Sequence, residues 1–258
     1  MCHRMVQCPC CDLVYADQPL DESELAQAYH AADYDSSEEA GDAAASYIKA
    51  MRPTLGKLAR RQSALEIGTG NGIFLEYLSH EGFTNLVGIE PSPAAIADAP
   101  ECRRIWIKEG MFDEKDYTPE SFDLICCFMT LEHVRDPNIV AGAAIRLLRP
   151  GGVFVAITHD YRSLMNRLLG NRSPIIDIEH MQLFSRRSVH TLFENTGYTD
   201  ITVCPFANTY SLRYWMRLFP LPSGIKSALA GFISILGMNN LKLKVNAGNL
   251  LAVGFRHG

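Results

Sequence analysis

Ala64-Leu65-Glu66-Ile67-Gly68-Thr69-Gly70-Asn71-Gly72-Ile73-Phe74-Leu75-Glu76-Tyr77-Leu78 is the stretch that decides the fold. An apolar run with strand character, Ala64 to Ile67, meets a turn with glycine at every second position, and a helix-like pattern follows. Glycines so spaced tolerate positive φ and leave no side chain where the backbone must approach a ligand closely, and the helix after them presents free N–H groups. The unit therefore reads as strand, nucleotide-binding turn and helix, the last over Gly72 to Ser79.

The features downstream fall in a consistent order. Asn85 to Glu90 is a second short strand ending in an acid; in parallel α/β sheets ligands bind beyond the carboxyl ends of strands, where such an acid accepts hydrogen bonds from both ribose hydroxyls. Ser92 and Pro93 look like the cap and first turn of the next helix. Arg104 to Lys108 is read as a third strand, and Ser121 to Phe128 as a fourth whose nearly continuous apolar run suits burial on both faces. A helix over Asn138 to Leu148 is stopped by Arg149-Pro150-Gly151-Gly152 before a fifth strand, Val153 to Thr158. Ser185 caps a helix to Asn195 with Val189, Leu192 and Phe193 inward, and Ile201 to Phe206 and Asn249 to Phe255 supply the last two strands.

Glu66-Ile67-Gly68-Thr69-Gly70-Asn71-Gly72 followed by Val87-Gly88-Ile89-Glu90 resembles motifs one and two of class I S-adenosylmethionine-dependent methyltransferases. Met129-Thr130-Leu131-Glu132-His133-Val134 is similar to the fourth motif of the small-molecule members, and Leu147-Leu148-Arg149-Pro150-Gly151-Gly152 to a signature turn of the family. The resemblance covers about residues 63 to 198. A nicotinamide-dependent oxidoreductase is the competitor, but its fingerprint is G-x-G-x-x-G, whereas the glycines here run G-x-G-x-G after an acidic residue inside the strand. The resemblance implies an α/β, Rossmann-like seven-stranded, mostly parallel sheet of order 3-2-1-4-5-7-6 with helices on both faces and a helical insertion before the last strand. It further implies S-adenosylmethionine as cofactor, held by Glu66, Gly68, Thr69, Gly70, Gly72, Glu90, Pro91, Gly110, Met111 and Met129; core filling is the alternative reading of Met111.

Methyl transfer from a sulfonium is an in-line displacement with a neutral leaving group, so alignment and exclusion of water do most of the work. A hydroxyl acceptor gains from a general base, and histidine titrates nearest the operating pH. His180, in the segment Ile178 to Ser185, and His133, after strand four, are the candidates, with His180 slightly favoured; a plain structural role in a loop is the alternative for each. His159-Asp160 is the weaker pair, because neighbours on an extended segment point in opposite directions. The expected activity is methylation of a small molecule, foremost O-methylation of a glycan, nucleotide-linked sugar or secondary metabolite. C- and N-methylation, or a noncatalytic module that binds the methyl donor, are the alternatives.

The 258 residues, 47% hydrophobic, suit one large α/β domain with appendages. We divide the chain into an acidic, cysteine-containing segment, 1–42, and a catalytic domain, 43–258, carrying an insertion over 207–248. Cys8-Pro9-Cys10-Cys11 resembles half of the zinc-binding segment that precedes the domain in sugar C-methyltransferases; Cys8 and Cys11 form one C-x-x-C pair where tetrahedral zinc usually takes two. Leu25 to Tyr34 reads as a short helix, Ser36 to Asp42 as a connection, and Ala43 to Arg60 as a helix that lies beside the glycine turn, with Pro53 as a possible kink. The insertion reads as a helical hairpin near the acceptor pocket. No Asp or Glu follows Asp200, while Arg213, Arg217, Lys226, Lys242, Lys244 and Arg256 do. That charge suggests an anionic or sugar-linked acceptor, or peripheral membrane contact through 212–236. The net charge of −5 and the lack of a basic stripe argue against nucleic acid. No signal peptide opens the chain and the cysteines do not form a disulfide pattern, so the expected location is cytoplasmic.

Overall fold

The computed structural model describes residues 3–19, 21, 24–25, 27, 38–218, 224, 226, 229, 231, 233–234, 238 and 241–258. Its main sheet has seven strands: β3 (Ser63–Ile67), β4 (Asn85–Glu90), β5 (Ile107–Glu109), β6 (Phe122–Phe128), β7 (Leu148–His159), β9 (Thr199–Ser211) and β10 (Lys242–Phe255). They lie in the order β5-β4-β3-β6-β7-β10-β9, which is the expected 3-2-1-4-5-7-6. The pairs from β5 to β7 are parallel, and β10 runs antiparallel to both β7 and β9. A small second sheet joins β1 (Met5–Gln7) and β2 (Val14–Ala16) to β8 (Gln182–Leu183).

Two apolar layers follow from strand alternation, since successive side chains point to opposite faces. One face buries Val153, Val155, Ile157, Leu251 and Val253 against α1 (Glu38–Leu55) and α2 (Ile73–His80). The other buries Phe154, Ala156, Leu250 and Ala252 against α5 (Pro137–Leu147) and α7 (Arg186–Asn195). Between β4 and β5 lie two short helices, α3 (Pro93–Asp98) and α4 (Glu101–Arg104). The caps are those the sequence suggests: Ser92 accepts from the Ala95 N–H at 3.3 Å, and Ser185 forms a capping box with Ser188.

Several boundaries differ from the reading above. α1 begins at Glu38 and so takes in most of the expected connection 36–42, with Pro53 tolerated inside its last turn. The helix expected over Leu25 to Tyr34 lies largely outside the described residues. Residues 104–106 belong to α4 and a turn, so the third strand is only Ile107–Glu109. The insertion is the largest correction. β9 runs on to Ser211 and β10 starts back at Lys242, so the two ends of the insertion, 207–211 and 242–248, form an antiparallel ladder, with Lys242 paired to Ser211 and Val245 to Asn208, while most of the first expected arm is helical over Leu212–Leu218. Burial alternates along this stretch, Phe206, Asn208 and Tyr210 being buried and Ala207 and Thr209 half-buried, which is the period of a strand and not of a helix. α8 (Leu212–Leu218) continues from β9, and most of the second half of the expected hairpin lies outside the described residues.

The cysteine segment forms the β1–β2 hairpin. Its turn is closed by the Cys8 N–H on the Leu13 carbonyl at 2.8 Å and the Asp12 N–H on the Cys8 carbonyl at 3.0 Å. Asp12 anchors it to the main domain, accepting from the Tyr161 hydroxyl at 2.8 Å and pairing with Arg162 at 2.6 Å. The Arg162 guanidinium holds the Asp12 carboxyl well below the usual range. Among the described residues no three His, Cys, Asp or Glu side chains converge as a metal site, and no helix is long and apolar enough to cross a membrane.

Candidate active site

The site is built from the carboxyl ends of β3, β4, β6 and β7. At the end of β3 the glycine turn has positive φ at Gly68 (75°), Gly70 (55°) and Gly72 (71°), the last being the N-cap of α2. A Cβ on Gly68 would collide with Thr130 Oγ1, and one on Gly88 would lie 2.5 Å from Thr69 Cγ2. The turn thus requires glycine both for backbone conformation and for close packing.

Two buried carboxylates flank it. Glu66 accepts the Thr69 hydroxyl; burial pushes its carboxyl up to about 8, the Thr69 hydrogen bond opposing and nearby Glu90 adding to the rise. Glu90 accepts the Gly70 N–H at 2.8 Å and the Ser92 N–H at 2.9 Å. Burial raises its carboxyl above the usual range, against those two hydrogen bonds. Pro91 follows it in the turn to α3. The Gly110 N–H donates to the Glu90 carbonyl at 3.0 Å, and Gly110 has a φ of 139°. Met111 is 40% exposed, so it does not fill the core. Met129, at the end of β6, adopts a positive φ of 51°.

Beyond Met129 opens a cavity of about 350 Å3 whose wall includes Tyr47, Met129, His159, Asn208, Tyr214 and Trp215. Tyr47 comes from α1, which packs beside the glycine turn as expected, its ring 4.9 Å from Phe128 and 5.6 Å from Phe206. Trp215 is held by its indole N–H on the Leu243 carbonyl at 2.9 Å and by its edge against Tyr210. The described part of the aromatic stretch therefore turns inward and walls this cavity.

Three histidines meet at its edge. The His133 and His180 rings lie 4.6 Å apart and those of His159 and His180 5.6 Å apart. His133 Nδ1 donates to the Glu179 carbonyl at 3.0 Å, and His180 Nδ1 to Asp177 at 2.8 Å. His159 Nδ1 lies 2.9 Å from Asn249 Oδ1. Burial, reinforced by His180, holds both His133 and His159 down to about 4. Fully buried Glu132 ties the cluster together: it accepts the His159 N–H at 2.6 Å, and its carbonyl receives the N–H groups of Met181 and Gln182. Burial raises the Glu132 carboxyl to about 7, and its Oε2 has no hydrogen-bond partner.

Of the three imidazoles, His159 lines the cavity and His133 and His180 do not. The weak His159-Asp160 reading fails to anticipate this, although the alternation argument itself is correct: Asp160 does not line the cavity, and its carboxylate accepts the Arg162 N–H at 2.9 Å. Asn208 and Asn249 carry no recognisable motif. Only strand register places them here, with His159 paired to Asn249 and Asn249 to Phe206 across three strands.

A seven-stranded sheet of this order, with a G-x-G-x-G turn after its central strand and an acid ending the next, defines the Rossmann-like methyltransferase class. Residues 38–203 match the methyltransferase domain family, and the chain belongs to it as an S-adenosylmethionine-dependent methyltransferase. It is 27% identical over 168 residues to a ubiquinone biosynthesis O-methyltransferase of Vibrio atlanticus, covering 58% of this chain and 71% of that protein. It is 33% identical over 109 residues to the protein of the same name from Klebsiella pneumoniae, covering 38% and 45%. In fold it is similar to a possible histamine N-methyltransferase of Thermotoga maritima, with a TM-score of 0.54 at 21% identity over 83% of this chain and 89% of that one. It is also similar to phosphoethanolamine N-methyltransferase 2 of Haemonchus contortus in complex with S-adenosyl-L-methionine, with a TM-score of 0.54 at 15% identity over 95% and 62%.

The residues present fit the methyl donor. The three positive-φ glycines form a surface without side chains, and Glu90 ends its strand beside them with lone pairs beyond those taken by Gly70 and Ser92.

Proposed function

We propose that this methyltransferase O-methylates a small, uncharged hydroxyl compound with a planar apolar body. The observation that carries the reading is the cavity: it adjoins Met129, its walls include the rings of Tyr47, Tyr210, Tyr214 and Trp215 beside aliphatic side chains such as Leu169 and Ile175, and its polar side chains are His159, Asn166, Asn208 and Asn249. Among the described residues the wall holds no Lys or Arg. That favours an uncharged acceptor over the anionic or sugar-linked one suggested by the basic residues after Asp200. Aromatic walls stack on planar rings, and the amides choose the orientation of polar substituents. The likeness to ubiquinone biosynthesis O-methyltransferases supports oxygen as the receiving atom.

Glu66, Gly68, Thr69, Gly70, Gly72 and Glu90 would hold the donor, with Pro91, Gly110, Met111 and Met129 completing the surround. When bound, S-adenosylmethionine supplies an electrophilic methyl group on a sulfonium. The chain's own part is to orient the two reactants, to keep water out with the α1 and α8 walls, and to accept one proton.

The test is transfer from methyl-labelled S-adenosylmethionine to catechol, methyl glucoside and UDP-glucose, read by mass spectrometry. A labelled methyl ether on catechol, with the other two unmodified, is expected. Transfer to UDP-glucose in preference to catechol overturns the acceptor class, and transfer to carbon or nitrogen overturns the choice of oxygen.

A further inference from the structure

His159, Asn249 and Phe206 stand side by side on β7, β10 and β9, each the direct register partner of the next. Directly opposed residues share one face of a sheet, and this face is the one covered by α1. The row sits immediately after an irregularity in β10 between Val245 and Asn249, where Gly248 has a φ of 93°. A Cβ on Gly248 would collide with Ser163 Oγ, so the bulge is seated tightly against the start of α6 (Leu164–Leu169). Such a bulge re-aims the residues beside it. Here the residue beside it is Asn249.

An amide oxygen has no proton to give, so the 2.9 Å contact between Asn249 Oδ1 and His159 Nδ1 requires the proton to be on Nδ1. A neutral imidazole then carries its lone pair on Nε2. Burial and the neighbouring His180 and His133 keep His159 uncharged at neutral pH, while Asp177 and the Asn249 hydrogen bond work in the opposite direction. Two strand positions beyond Phe206 on the same face, Asn208 is 4% exposed, lines the same cavity, and has an Oδ1 without any hydrogen-bond partner. A buried amide oxygen left unpaired is costly, so it calls for a donor from whatever occupies the cavity.

Resting on the O-methyltransferase reading above, we propose that His159 Nε2 is the base that takes the acceptor's hydroxyl proton. Asn249 is the positioning residue that fixes its tautomer, and Asn208 Oδ1 receives a second hydroxyl of the same acceptor. The acceptor is thus a neighbouring diol of the catechol kind. The step balances within the established activity: the O–H bond breaks with its proton passing to Nε2, and an oxygen lone pair forms the C–O bond. The electron pair of the breaking C–S bond goes to sulfur, leaving a neutral thioether. His133 and His180 do not line the cavity and do not touch the acceptor.

The first test needs no acceptor. Nitrogen-15 NMR of the histidine-labelled full chain is expected to show His159 as the Nδ1–H tautomer, lost in Asn249→Leu and retained in Asn249→Asp. An Nε2–H tautomer in the wild-type protein overturns the proposal. The second test compares His159→Gln with wild type on catechol. Turnover is expected to fall by about 10²- to 10⁴-fold, the usual worth of a positioned base, with S-adenosylmethionine affinity by calorimetry within about threefold. Equal turnover in the two proteins overturns the base assignment while leaving the methyltransferase reading intact. Donor binding without catechol methylation in the wild type overturns the acceptor class and leaves the tautomer measurement to decide the role of Asn249.

Discussion

The proposed donor half and the proposed acceptor half of this site are built on opposite principles. The donor surface comes from one strand, one turn and the next strand: Glu66 to Gly72 and, twenty residues past Gly70, Glu90. Its determinants are backbone conformation and a carboxylate, so it is compact in sequence. The acceptor cavity draws on α1, β6, β7, α6, β9, α8 and β10, from Tyr47 to Asn249. Its determinants are side chains brought together only by register and packing. The contrast teaches that a reaction common to a family can be written in a local motif, whereas the choice of acceptor is written in the assembly.

The contrast can be broken at its strongest point first. Gly68→Ala forces a side chain onto a backbone at φ 75° and into Thr130. The conformation alone costs about 1–3 kcal/mol, and S-adenosylmethionine affinity is expected to fall by about 30-fold or more in calorimetry. A dissociation constant within threefold of wild type would show that the turn is not the donor surface. Glu90→Ala removes a carboxylate that accepts charge-assisted hydrogen bonds worth about 1.5–3 kcal/mol, so donor affinity drops by about 10- to 100-fold.

On the acceptor side the effect is smaller and of a different kind. Tyr214→Leu removes one stacking ring, worth about 0.5–1.5 kcal/mol, and raises KM for catechol by about 2- to 10-fold. Donor affinity should not move; a parallel loss of both would mean that the two halves are not separable.

A last effect, read in stability and not in binding, is the pH dependence that Glu66 contributes in the donor half. In the native protein Glu66 holds its proton up to about pH 8, whereas the unfolded chain releases it near 4.5. The native state therefore binds more protons in that window, and its stability falls as pH rises from 4.5 to 8. Glu66→Gln removes this contribution, so the melting temperature of the variant relative to wild type climbs over the same window. A difference constant to within about 1 °C, well below the shift that 1 kcal/mol produces, would show that burial does not protonate Glu66.

Legibility follows the same division. The strand order came with the family resemblance, whereas the Ser92 and Ser185 caps and the Pro-Gly-Gly stop were readable because each depends on residues within a few positions of one another. The continuation of β9 and β10 into the insertion was not, because short runs such as Ala207 to Ser211 and Lys242 to Ala247 fit a strand only once each is known to be the other's partner. His159 was underrated for a related reason. Alternation correctly separates it from Asp160, but which of the two faces the cavity depends on the pairing of Thr158 and His159 with Leu250 and Asn249. Asn208 offered no signal at all, since a lone amide in a strand becomes informative only when its oxygen is found buried and unpaired.

By itself the sequence determined the class of reaction. Gly68, Gly70 and Gly72 permit a backbone that other residues resist, Glu90 ends the adjacent strand, and both properties are intrinsic to residue type and spacing. Tertiary structure alone decided the rest: which of three histidines borders the cavity, that Asn249 stands against it, and that Tyr47 and Trp215 share one wall. Those relations join positions up to about two hundred residues apart through strand register and burial, and no local preference of the chain encodes them.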